Sequence, residues 1–249
     1  MMQDLAIFWP AVVAGLLVTA THAPLGIQVL NRGIVFIDLA VAQIAGLGVI
    51  LGDVLGYEHH GAAAQMFALA AALLGALLLH WTERLWPDVQ EAVIGVVFIL
   101  AANAAMLLLA ANPHGAEHLK DLLVGQILWV KAGELPLMAA ASAAILAVWF
   151  GASARIGRIG FYLLFACAVT ISVQLVGVYL VFATLIIPAL ASRRLRRGRL
   201  AACYALGAVA YLSGLLLSAL GDLPTGPLIV CTMTVLGLAL YLTFRPRPS

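Results

Sequence analysis

Runs of about twenty apolar residues, each long enough to carry a helix through the roughly 30 Å of a bilayer's hydrocarbon, divide this chain. They fall at roughly 5–27, 33–52, 62–82, 92–111, 135–150, 200–220 and 223–244. One further stretch constrains the fold even more: 159–192 carries no charged residue at all. As one helix it would measure about 50 Å, at about 1.5 Å per residue. That is too long for one crossing and short for two. Within it, Gly177 invites a break, and Pro188, which has no backbone N–H, is expected to break or kink a helix. The expectation is therefore an all-α polytopic membrane protein. It has seven full spans plus a broken or re-entrant helical hairpin at about 159–192, in a single transmembrane domain over 1–249.

Composition agrees. Of 249 residues, 64% are hydrophobic and 10% charged, with a mean hydropathy of +1.10; a soluble domain carries about 25% charged residues. A water-soluble enzyme, a nucleic-acid-binding module and a disordered chain are excluded, because too few charges remain to cover a solvated exterior. Cys167, Cys203 and Cys231 all fall in apolar stretches and read as packing residues rather than a disulfide framework. No Lys or Arg precedes the first apolar run. It thus lacks the basic start of a cleavable signal peptide and is expected to stay as a span.

Basic residues set the expected orientation. Arg193, Arg194, Arg196, Arg197 and Arg199 form a dense cluster that the positive-inside rule assigns to the cytoplasm. Counting spans from there puts Arg32, Arg84, Arg155 and Arg158 inside, the N-terminus outside and the C-terminus inside. Both ends of 159–192 then face the cytoplasm, so this stretch must turn back within the membrane. Irregular backbone at that depth survives only against protein or a water-filled cavity, and so it marks transport paths. Gly177 and Pro188 are accordingly candidate path residues.

The same topology sends most histidines outward. Glu58, His59 and His60 form one outer cluster, and His114, Glu117 and His118 another. Imidazole with carboxylate suits zinc and similar divalent ions, and a helical His114–His118 segment would place both rings on one face. The same residue types also belong in any solvated loop. Asp38 is the acid or base set furthest inside a span, about 8 Å from its inner end by helical rise. An ionisable group in that position is a functional candidate, though Asp38 could also reach the interface or pair with Arg32. Gln43 could line a cavity or bond between helices. Glu91, opening the fourth span, is either a path residue or an acid favoured at a helix N-terminus.

Enzyme signatures are missing. There is no His-Glu-x-x-His, no Gly-x-Ser-x-Gly elbow and no Gly-x-x-x-x-Gly-Lys-Ser/Thr phosphate loop. No cofactor is expected. If transport through this chain is driven by ATP, the motor is another polypeptide.

Ordered blocks carry a resemblance. Pro24-Leu25-Gly26 and the stretch Phe36 to Gly52 are similar to the first membrane motif of the metal-type (zinc/manganese/iron) ABC transporter permeases. Glu91 to Gly95 resembles their acidic-x-x-x-Gly motif, and Leu122 to Leu128 their Leu-Phe-Gly-Asp-Leu-Leu stretch. Leu175 to Leu180, with Leu185-Ile-Ile-Pro188-Ala189, resembles the family's most distinctive block. Asp222 to Pro227 resembles its Pro-x-Gly-Pro turn. The resemblance implies a permease subunit in a bacterial inner membrane that dimerises. It further implies coupling to ABC ATPase subunits and delivery of metal by an extracytoplasmic binding protein; nucleic acid has no place in it.

Three departures stand out. Where the family pairs Asp and His four residues apart in the second span, this chain has Leu39 and Gln43, and Asp38 is displaced by one residue. That displacement turns Asp38 by about 100° around the helix. Gln126 stands for the Asp of the Gly-Asp pair, and the cytoplasmic loop that docks the ATPase is reduced to about Gly151–Gly160. A membrane path built this way is expected to hold divalent ions weakly, with tighter binding at the outer histidines or on the binding protein. Two readings follow. One is a divalent-metal ABC permease, zinc foremost and manganese or iron next. The other is the same permease fold carrying a chelated or organic substrate, or working without an ATPase.

Overall fold

A computed structural model describes residues 2–57, 61–109 and 127–243, with side chains omitted for 2–7 and 153–156. The described residues contain helices and turns and no strand. The helices are α1 (Met2–Arg32), α2 (Ile37–Val54), α3 (Ala62–Leu85), α4 (Gln90–Leu109), α5 (Leu135–Val176), α6 (Val178–Ala191), α7 (Arg199–Gly221) and α8 (Thr225–Thr243). Short 3₁₀ turns lie at Pro87–Val89, Ile127–Trp129 and Ala132–Glu134.

Among the described residues, eight segments are long and apolar enough to cross a membrane, where the sequence suggested seven beside the hairpin. The additional one is Gly157–Val176, the first arm of the uncharged stretch. The stretch is indeed broken, at Gly177, whose φ of 84° and ψ of 160° belong to a region only glycine enters freely. The second arm, α6, has 14 residues. At about 1.5 Å per residue it falls short of a full crossing.

Pro188 does not break that arm. The helix runs on to Ala191, and the Pro188 carbonyl accepts from the Ser192 N–H at 3.0 Å and the Ser192 hydroxyl at 2.8 Å. The missing Pro188 N–H costs the one bond to the Thr184 carbonyl, four residues earlier, and the helix continues through it. Gly151–Gly160 is likewise not a loop. It is helical except at Gly157, where φ 60° and ψ −165° again require glycine.

The chain forms two compact units. One gathers α1, the Ile127–Trp129 turn, α5 as far as Leu146, and α6 to α8. Small residues set its helix crossings, as expected where lipid supplies no hydrophobic drive between helices. A Cβ on Gly26 would overlap the Leu185 carbonyl, a backbone atom that cannot swing aside, so the Pro24-Leu25-Gly26 block and the Leu185-to-Ala189 block meet directly. Gly15 likewise accepts the ring of the fully buried Tyr211, whose hydroxyl lies 2.9 Å from Thr184 Oγ1.

α1 continues through Pro24, which leaves the Ala20 carbonyl without its helical donor. The Tyr204 hydroxyl of α7 donates to that carbonyl at 3.2 Å. The Pro-x-Gly-Pro block builds the α7–α8 turn. Asp222 takes a left-handed φ of 51°, Ser218 donates to the Leu223 carbonyl at 2.7 Å, and Thr225 Oγ1 lies 2.7 Å from Ser218 Oγ.

The other unit gathers α2, α3, α4 and Ala147–Gln174 of α5. α2 is its core, with buried residues on nearly every face, and it packs against both α3 and α4. Gly48 and Gly75 let α2 and α3 approach: a Cβ on Gly48 would lie 2.5 Å from the Phe67 carbonyl, and one on Gly75 2.5 Å from Ile44 Cδ1. α4 is apolar all round yet exposes Ile99, Leu100 and Leu107, a surface suited to lipid rather than water.

Candidate functional site

Gly33, with φ 71°, ends α1, and a turn delivers the chain to Ile37, where α2 begins. Asp38 therefore sits in the first helical turn, at the end of its span rather than well inside it. The apolar residues 33–37 had extended the apparent span past the real helix start. Packing nevertheless buries Asp38 completely, at 0% exposure. Neither carboxylate oxygen has a hydrogen-bond partner among the described residues, Arg32 included. A buried carboxyl without a partner costs stability. Burial at a helix N-terminus, where the backbone dipole favours negative charge, offsets only part of that cost.

Gln43 lies one and a half turns further along α2 and is 8% exposed. Its amide makes no hydrogen bond with another described residue. Among the described residues it forms no interhelical bond.

Glu91 caps a neighbouring helix. Its Oε1 accepts the Phe36 N–H at 3.1 Å, which satisfies an orphan donor at the start of α2. Its Oε2 is buried without a hydrogen-bond partner among the described residues. Glu91 thus joins the start of α4 to the turn that places Asp38. Gln90, which sequence inspection passed over, closes the other side of this corner. Its Nε2 donates to the Leu79 carbonyl at 2.9 Å, and its Oε1 accepts from Thr82 at 3.2 Å.

In the other unit, Gly177 forms the helix break and Pro188 the last turns of α6. Sequence inspection also passed over His22. It is fully buried in α1, with Nδ1 3.0 Å from the Val18 carbonyl and 2.9 Å from Thr21 Oγ1. Because a carbonyl can only accept, Nδ1 carries the proton, and the Nε2 lone pair has no hydrogen-bond partner among the described residues. The one available signal was its position two residues before Pro24-Leu25-Gly26.

Glu58, His59, His60, His114, Glu117 and His118 lie outside the described residues. Among the described residues no three His, Cys, Asp or Glu side chains converge to hold a metal ion. Among the described residues, the buried oxygen and nitrogen atoms left without a hydrogen-bond partner include both Asp38 carboxyl oxygens, Glu91 Oε2 and His22 Nε2.

The model of the ABC 3 transport family matches residues 4–156 and 146–243, nearly the whole chain. The chain belongs to this family. It is 28% identical, over 94% of its length and 89% of the relative's, to the uncharacterized membrane protein slr2045 of Synechocystis. It is 23% identical to ZnuB of Haemophilus influenzae, a membrane protein of a high-affinity zinc uptake system, covering 94% of this chain and 97% of ZnuB. Its fold is that of PsaBC from Streptococcus pneumoniae, solved with a Fab, at TM-score 0.77 and 19% identity, covering 96% and 92% of the two chains. This member of the ABC 3 transport family is a multi-pass metal-type permease. Membership implies a separate ATPase and a substrate-binding protein as its partners.

Proposed function

We propose that this chain is the membrane subunit that moves a divalent metal ion, zinc foremost and manganese or iron next, across a bacterial inner membrane. It works as a homodimer, with the N-terminus outside, the C-terminus in the cytoplasm and ATP hydrolysis on a partner chain. The ion is handed over by the binding protein, meets the outer histidines His59, His60, His114 and His118 with Glu58 and Glu117, and passes a membrane path that includes Asp38, Gln43, Glu91, Gly177 and Pro188.

One observation carries the reading: Asp38 is wholly buried and neither of its oxygens has a hydrogen-bond partner among the described residues. A carboxyl kept in that state works against stability, so its use must lie elsewhere. A single carboxylate is also a weak ligand, and conduction needs a site that releases what it binds. The test separates stability from transport. Asp38→Asn should leave the melting temperature unchanged or raise it, while zinc uptake by the assembled transporter falls at least about tenfold. Normal uptake with Asp38→Asn would remove the residue from the path. A fall in melting temperature would make it structural.

The second reading is a chelated or organic substrate. It is favoured by the Gln43 side chain, which lacks the ring nitrogen of His, and by the lack of converging donors among the described residues. Uptake of a metal chelate without uptake of the free ion would decide for it.

A further inference from the structure

At the α6–α8 contact the surface opens into a groove of about 430 Å³, within the range of about 300–1,000 Å³ typical of small-molecule sites. Its walls are apolar: Ile187 and Leu190 from α6, Gly237 and Leu238 from α8. Gly237 keeps the two helices close, since a Cβ there would stand 2.8 Å from Ile187 Cγ2. Leu190 and Leu238 are exposed at 41% and 57%, and both belong to apolar helices, so the groove faces lipid rather than water.

One end of the groove has a different chemistry. Arg193 and Tyr241 close it, and the Arg193 guanidinium donates to the Tyr241 hydroxyl at 3.1 Å. The Arg194 guanidinium lies over the same ring, 4.1 Å from its centroid, in cation–π contact. Two positive charges are thus gathered around one aromatic ring. Among the described residues no carboxylate pairs with either, and the buried Nη1 of Arg194 has no hydrogen-bond acceptor.

We propose that this groove is a binding site for an anionic phospholipid. An acyl chain lies along Ile187, Leu190 and Leu238, and the phosphate sits on Arg193 and Arg194. Only an amphiphile with a negative head matches both halves of the site. Guanidinium suits phosphate because its fork of donors meets the oxygens in pairs, and basic pockets between spanning helices hold anionic headgroups in this way. Tyr241 acts by holding both guanidinium groups at the mouth. The lipid would cross-link α6, the short arm that ends the broken helix, to α8. Anionic lipid would therefore bear on the segment that contains Gly177 and Pro188.

The test uses the full chain in nanodiscs of phosphatidylcholine with a minor share of phosphatidylglycerol, and counts co-purifying phosphatidylglycerol after transfer to detergent. Arg193→Ala with Arg194→Ala should lower its retention by about tenfold or more, as two charges near the membrane surface are worth. Arg196→Ala with Arg197→Ala removes the same charge outside the groove and should leave retention near wild type. Leu238→Trp, which fills the groove and keeps every charge, should also lower retention. Equal losses from both arginine pairs would reduce the effect to general attraction by a basic loop and overturn the site. So would a dimer cross-linked through Leu238→Cys in a Cys231→Ser background, since a second copy would then occupy the groove. Free inorganic phosphate should not compete at millimolar concentration; competition would assign the site to the anion alone.

Discussion

Gly177→Ala should destabilise the protein even though it adds only one methyl group. Gly177 holds φ 84° and ψ 160° between Val176, the end of α5, and Val178, the start of α6. A residue with a Cβ pays about 1–3 kcal/mol to stay in such a region. For a chain of this length each kcal/mol moves the melting temperature by about 2–4 °C, so the loss should be about 2–12 °C. The natural control is Gly95→Ala. Gly95 lies inside α4 with nothing within 4 Å of an added Cβ. Alanine there should be neutral or stabilising by about 0.5–1 kcal/mol, because it gives up less conformational freedom on folding. Both variants are purified in one detergent and melted side by side with a thiol-reactive dye or intrinsic fluorescence. Zinc uptake by the assembled transporter should fall further than the melting temperature alone explains, because the break helps shape the proposed path. If Gly177→Ala melts with Gly95→Ala, the helix break does not depend on glycine and the reasoning fails.

Other substitutions probe other joints. Tyr204→Phe strands the Ala20 carbonyl that Pro24 left without a donor, and should cost about 1–3 kcal/mol; an unchanged melting temperature would show that the bond carries no weight. Glu91→Ala removes the acceptor of the Phe36 N–H and should cost about 0.5–2 kcal/mol. Glu91→Gln keeps a carbonyl oxygen there and should cost less, and the reverse order would contradict the capping role. Changing His114 and His118 together to Ala should cut zinc uptake by at least about tenfold, in line with lost metal ligands. Gln43→Ala should cost less than that, and a normal double-histidine variant would move the main site into the membrane.

The fold was legible because membrane spans announce themselves by length and apolarity, and because an uncharged run that fits neither one crossing nor two must break. Glycine at 177 supplied the place. Pro188 misled, since a proline inside a helix removes one bond, to the carbonyl four residues before it, and here the helix continues through that loss to Ala191. Gly151–Gly160 read as a loop because its charges and glycines resemble one, whereas a single glycine at 157 suffices for the break. Asp38 stood out in the sequence, but its depth was overstated: Gly33 to Ile37 are apolar enough to pass for helix, and the left-handed φ at Gly33 is invisible in sequence. The pairing of Tyr204 with the Ala20 carbonyl and of Glu91 with the Phe36 N–H joins residues far apart in the chain, and no local pattern encodes such contacts. Exposed helix faces carry little amphipathic signal, because lipid and protein interior are both apolar.

Zinc accumulation by cells stripped of their own zinc uptake tests the central claim most directly. Those cells would express this chain with its partner ATPase and binding protein, and radioactive zinc would be counted over time. The account predicts uptake that needs all three proteins, stops when the ATPase cannot hydrolyse ATP, and falls at least about tenfold with Asp38→Asn. Cells that accumulate no zinc, manganese or iron above background, yet take up a metal chelate through the same three proteins, would contradict it.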